Sequence, residues 1–148
     1  MPYIKEVSFE RAGRLEGCLC DRCGQYIQNI VTVRWTDGIV IHYGTECFSK
    51  LCKTGKLTAY GTQLFKKALK RIKDHTERLE AYKSGEINAE NDAAWIYAQN
   101  PRPYESPSYW YGKPYEEYRK FMIEEFFPCR LEEDQKEIAR FSKVKFDR

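Results

Sequence analysis

The chain has 148 residues, of which 42% are hydrophobic, 32% charged and 15% aromatic; that suits one core-forming domain, or a small module with an extension, and is too aromatic for a disordered chain. It has neither a long apolar run nor a basic-then-apolar leader, so a membrane span and a secretory signal are not expected, and a cytoplasmic location is. A formal net charge of +3 is too mild to announce a nucleic-acid binder by itself.

Residues 1–57 read as strands and turns ending in one short helix. Ile27 to Trp35 is rich in β-branched and aromatic residues, Asp37-Gly38 is a hairpin signal, and Ile39 to Tyr43 forms the return strand. Gly44 ends that strand, and Thr45 to Leu51 is expected as a helix that stops near Gly55. Phe65, Leu69, Ile72, Leu79 and Tyr82 recur at helical spacing and predict a long amphipathic helix over 62–83, with Thr62 as its N-cap and Ser84-Gly85 as its stop. A second helix is expected over 89–99, ending at Asn100-Pro101. The loop that follows, up to Lys113, holds Pro101, Pro103 and Pro107 with the rings of Tyr104, Tyr109, Trp110 and Tyr111. Pro114 suits a first helical position. A helix carrying Tyr115, Tyr118, Phe121, Met122 and Phe126 is expected to run to Phe127-Pro128, and a polar helix over about 132–141 closes the chain. The expected class is α+β: a hairpin-and-helix module over 1–57, then a mainly helical extension over 58–148 packed on it.

Six cysteines occur, at 18, 20, 23, 47, 52 and 129, five of them within the first 52 residues. Without a leader the thiols should stay reduced, and clustered reduced thiols point to metal. Cys20-Asp21-Arg22-Cys23-Gly24 is a C-x-x-C followed by glycine. Its two thiolates can grip one ion from a tight knuckle, and the glycine lets the chain turn at positive φ. The hairpin brings the chain back to Cys47 at a helix start, where the helix dipole favours a thiolate. The fourth ligand stays open between His42, just before the Gly44 turn, Cys52 and Cys18. Cys52 is five residues past Cys47, about 140° around a helix. Cys18 is on the strand before the knuckle. Four protein ligands would make the zinc structural, with no open position for substrate. Cys52 and Cys129 otherwise read as small buried hydrophobes.

Cys20-x-x-Cys23-Gly24, Ile27-x-Asn29-x-Val31, Asp37-Gly38 and Tyr43-Gly44-x-x-Cys47 together resemble small zinc-binding proteins common in phages and mobile elements, over roughly residues 18–52. The resemblance implies a treble-clef-like zinc module. Such modules occur in nucleic-acid binders and also in phage inhibitors of host defence, metalloprotein anti-CRISPRs among them.

No constellation for catalysis stands out. His42 and His75 are the two imidazoles, and the pairs Glu116-Glu117, Glu124-Glu125 and Glu132-Glu133 are neighbours in helices, so each pair points to two faces. The chain is therefore not expected to be an enzyme. Two binding surfaces compete. Lys66, Lys67, Lys70, Arg71, Lys73 and Arg78 could meet phosphates, although Asp74, Glu77 and Glu80 dilute them. Tyr104, Tyr109, Trp110, Tyr111 and Tyr115 are residue types enriched in protein interfaces. The expectation is a zinc protein that inhibits a host macromolecule by occlusion, with an RNA-guided DNA nuclease as the partner the resemblance suggests. The alternative is a zinc-dependent DNA- or RNA-binding accessory protein.

Overall fold

The computed structural model describes residues 2–148, and it is α+β. The strands are β1 (Ile4–Arg11), β2 (Cys18–Leu19), β3 (Tyr26–Ile27), β4 (Asn29–Trp35) and β5 (Val40–Tyr43). They form a three-stranded antiparallel sheet of order β1-β4-β5 and a small β2-β3 ribbon. The helices are α1 (Thr45–Lys53), α2 (Ala59–Ser84), α3 (Ala93–Gln99), α4 (Tyr115–Phe121) and α5 (Phe127–Ala139), with a π-helical turn, Met122–Phe126, between the last two. None of the helices among the described residues is long and apolar enough to cross a membrane.

The chain divides into two compact units, one made of residues up to Asp74 with Leu131–Arg148, the other of His75–Arg130. The division between these units falls inside α2. The reason is packing: Phe65, Ala68 and Ile72 of α2 are buried in the same core as the sheet.

In the first unit, Val31, Val33 and Trp35 alternate with Thr32 and Arg34 along β4 and are almost fully buried. In β1 the buried residues Ile4 and Val7 are three apart, which breaks strand alternation, and a register shift between Ile4 and Glu6 absorbs the extra residue. The outer edge of β1 is covered by a side chain. Gln135 of α5 accepts from the Val7 N–H at 3.1 Å and donates to its carbonyl at 2.6 Å, standing in for a neighbouring strand. Leu51, Phe65, Ile72 and Ile138 close the core over the sheet. The C-terminal tail lies on this unit as well: Phe146 packs on Phe65, and Arg148 bonds Asp37 through both carboxylate oxygens.

Helix α2 starts three residues before Thr62. Thr58 Oγ1 accepts from the Gly61 N–H and acts as the cap, while the Thr62 hydroxyl donates back to the Thr58 carbonyl. The helix stops as expected, with Gly85 at φ +81°.

In the second unit, α3 begins at Ala93 and not at 89, because Asp92 caps it by accepting from the Trp95 N–H. The helix expected to end at Phe127-Pro128 continues into α5. The chain widens into a π turn just before Pro128, and the Phe127 N–H bonds the Met122 carbonyl five residues back. In a straight α-helix the proline ring would crowd the carbonyl four residues earlier, and the π turn relieves that conflict. Trp95 packs on Tyr115 and Tyr118, and Tyr82 packs on Phe127. Buried Asp92 accepts hydrogen bonds from the hydroxyls of Tyr82 and Tyr115.

Candidate metal centre

The strand-to-knuckle-to-helix path brings three thiols together. The sulfurs of Cys20, Cys23 and Cys47 all lie within 4.8 Å of one another. Three sulfurs around one tetrahedral ion of this kind would sit about 3.8 Å apart, given a metal–sulfur bond of about 2.3 Å. The group could therefore hold a metal ion. Cys20 and Cys47 are buried and Cys23 is exposed, so the site lies at the surface of the unit with one open side.

The local backbone makes the knuckle. The Gly24 N–H donates to the Cys20 carbonyl at 2.8 Å and Gly24 takes φ +76°, a conformation that a side chain would strain. The turn aims backbone N–H groups at the Cys20 sulfur. Gly44 donates to it at 3.3 Å from the end of β5, and the N–H groups of Arg22 and Cys23 also point at it. Burial by itself raises the Cys20 thiol, but these donors outweigh burial and bring it down to about 7. Cys47 goes the other way, pushed up to about 11 by burial and by its hydrogen bonds with Cys23 and Cys20. Three thiolates this close repel one another, and a bound cation is what would let all of them lose their protons.

Two further residues, which the spacing argument overlooked, hold the knuckle on its supports. Asp21 clamps β5: its N–H donates to the His42 carbonyl at 2.9 Å and its carboxylate accepts from the His42 N–H at 2.7 Å. Arg22 reaches the Cys47 carbonyl in α1 at 3.1 Å. Polar residues between two metal-type cysteines were the available signal.

Of the candidates for a fourth ligand, none belongs to this close group. His42 Nδ1 lies 3.6 Å from the Asp21 carboxylate. Cys52 packs against the hydrophobic core, and burial pushes its thiol up to about 12. Cys18 is half-buried in β2, with its thiol raised first by burial and then by the nearby charges of Asp21 and Cys20. Cys129, expected as a buried hydrophobe, is exposed.

The aromatic loop divides in two. Trp110 is half-buried, packed on Tyr118 and Phe121, and its carbonyl accepts from Gln99, whose side chain also accepts from the Gly112 N–H. Tyr104, Tyr109 and Tyr111 are exposed by 76%, 73% and 52%, and the Lys113 ammonium sits over the Tyr109 ring. The loop is thus pinned from inside by Trp110 and presents three tyrosines. Among the cations of α2, Lys67 and Lys70 are exposed, whereas Arg71 is engaged with Glu137 at 2.8 Å and with buried Asp134 at 3.8 Å.

Compared with protein-family models, curated proteins and solved structures, the chain matches none.

Proposed function

We propose that this chain is a non-enzymatic binding protein whose N-terminal unit is stapled by a structural zinc ion. The observation that carries the reading is the thiol group of Cys20, Cys23 and Cys47 on a knuckle lined with backbone donors. Soft thiolates favour zinc among the common divalent ions, and a fourth protein donor would close the site as a structural one, whose metal binding contributes folding free energy. His42 is the proposed fourth donor, on its adjacency: its backbone bonds Asp21 of the knuckle in both directions. Cys52 and Cys18 are the competing donors. Zinc retention separates them, with His42→Ala expected to weaken binding and Cys52→Ala expected to leave it unchanged.

The binding surface in this reading is the prolyl loop of the second unit. Tyr109 and Tyr111 offer large contact area at small cost in side-chain entropy, and Trp110 and Gln99 hold the backbone beneath them in place. The proposed partner is a host protein, and the resemblance of the zinc module supplies its class, an RNA-guided DNA nuclease blocked by occlusion. The test is direct binding of the purified chain to such a nuclease. Tyr109→Ala is expected to weaken it by about 2 kcal/mol, roughly thirtyfold in Kd, if that ring is an anchor. Binding that is indifferent to Tyr109, Tyr104 and Tyr111 together would overturn the loop as the docking surface.

A further inference from the structure

The distribution of unpaired charge singles out another surface, on the first unit. That unit carries 18 basic and 12 acidic side chains, a net +6, whereas His75–Arg130 carries 7 and 10, a net −3. The excess is concentrated further. From Cys47 to Lys73 there are eight basic residues and no acidic one. Arg71 alone among the eight is within ion-pair distance of a carboxylate among the described residues.

The fold gathers six of the remaining seven. Phe48 and Leu51 of α1 are buried, which leaves Lys50 and Lys53 on its exposed side together with one acid, Glu46, followed by Lys56 in the connecting loop. On α2, the buried residues Phe65, Ala68 and Ile72 fix the helix rotation. Lys66, Lys70 and Lys73 then form one stripe along a flank, and Arg71 faces the other flank, toward α5. The stripe is on the α1 side: Cys52, next to Lys53, feels the Lys66 ammonium. The tail lies against the same region, since Phe146 lies against Gly55 and the Asp147 N–H bonds Thr54 Oγ1; it brings one basic and one acidic residue, Lys145 and Asp147, and so leaves the balance of charge there unchanged.

We infer that this α1–α2 face binds the phosphodiester backbone of a nucleic acid without reading its sequence. Self-repulsion among unpaired lysines is a cost to the folded chain that a polyanion removes. Lys66 to Lys73 spans about 10 Å of helix, over which one strand of a duplex presents about three phosphates. Lysine supplies mobile point charges in place of the planar fork that reads guanine, so positioning without base readout is the fitting mode. A membrane surface fits less well. The exposed apolar side chains of α2, Tyr60 and Leu64, point about 110° and 150° away from the middle of the stripe, so they cannot insert beside it. This surface uses neither the thiols nor the tyrosine loop, so it stands or falls apart from the reading above.

The experiment is a titration of fluorescently labelled duplex DNA, duplex RNA and single strands with the full zinc-replete chain over a salt series. Six neutralised phosphates give a slope of log affinity on log salt of about −5, and a loss of roughly a thousandfold between about 50 and 200 mM. Lys66→Ala and Lys70→Ala should each flatten the slope by about 1, while Lys120→Ala, an exposed lysine of the other unit, should leave it unchanged. These surface changes are not expected to unfold the chain, which circular dichroism checks. No binding to any of the nucleic acids at low salt, equal effects of Lys66→Ala and Lys120→Ala, or binding only to phosphatidylserine vesicles would each overturn the inference.

Discussion

Replacing Asp92 by alanine should unravel the second unit from its polar centre. Asp92 is 2% exposed and holds three donors: the Trp95 N–H at the start of α3 and the hydroxyls of Tyr82 and Tyr115. Loss of an N-cap costs about 1 kcal/mol. Tyr82 is fully buried, so its hydroxyl would be left without a partner at a cost of about 1–3 kcal/mol. Tyr115 is only partly buried and can turn to water. The expected destabilisation is about 3 kcal/mol, whereas Asp92→Asn keeps an acceptor oxygen and should cost about 1 kcal/mol. Urea unfolding followed by tryptophan fluorescence reads this, since Trp95 and Trp110 both lie in the unit. An Asp92→Ala chain within about 0.5 kcal/mol of the parent would refute the argument, because surface substitutions away from special features fall in that band.

Alkali should act on the same cluster. Burial, and then the hydrogen bond to Asp92, raise the Tyr82 hydroxyl above its ordinary value, so its contribution is complete below about pH 10 and lost above it, at about 1.4 kcal/mol per pH unit. Stability measured at rising pH should fall less steeply in Tyr82→Phe, and an unchanged slope would contradict the assignment. Gln135→Ala removes both bonds to Val7 and should cost about 2 kcal/mol, with faster hydrogen exchange along β1 as the readout. Trp110→Ala should destabilise the second unit by about 2 kcal/mol or more, since its ring packs on Tyr118 and Phe121, while Tyr109→Ala should change stability by less than about 0.5 kcal/mol. Thermal melts compare the two, and a larger effect for Tyr109 would reverse the roles given to these rings.

The hairpin around Asp37-Gly38, the helix start after Gly44 and the three clustered cysteines were legible because each is a local signal: a turn dipeptide, a strand breaker, a knuckle spacing. Long-range packing was not. The division inside α2 depends on Ile138 and the sheet sharing one core with Phe65 and Ile72, residues far apart in sequence. Pro128 read as a helix end because the π turn that accommodates it has no signature in residue type. Arg71 read as a free cation, and its partners Asp134 and Glu137 lie more than sixty residues away. Trp110 and Tyr109 are neighbours of similar chemistry, and the contacts of the folded unit separate the ring that packs from the ring that is presented.

The central claim is that Cys20, Cys23 and Cys47 hold a structural zinc ion, and metal content tests it most directly. Folded protein purified under reducing conditions without added metal should contain about one zinc per chain by elemental analysis. Cys23→Ala and Cys47→Ala should lose that zinc and release the β2–β3 knuckle, because metal binding at such a site is folding free energy. Cys129→Ala, at an exposed thiol that is not a member of the group, should keep it. Folded parent protein free of zinc, or a Cys23→Ala chain that retains one zinc per molecule, would contradict the account.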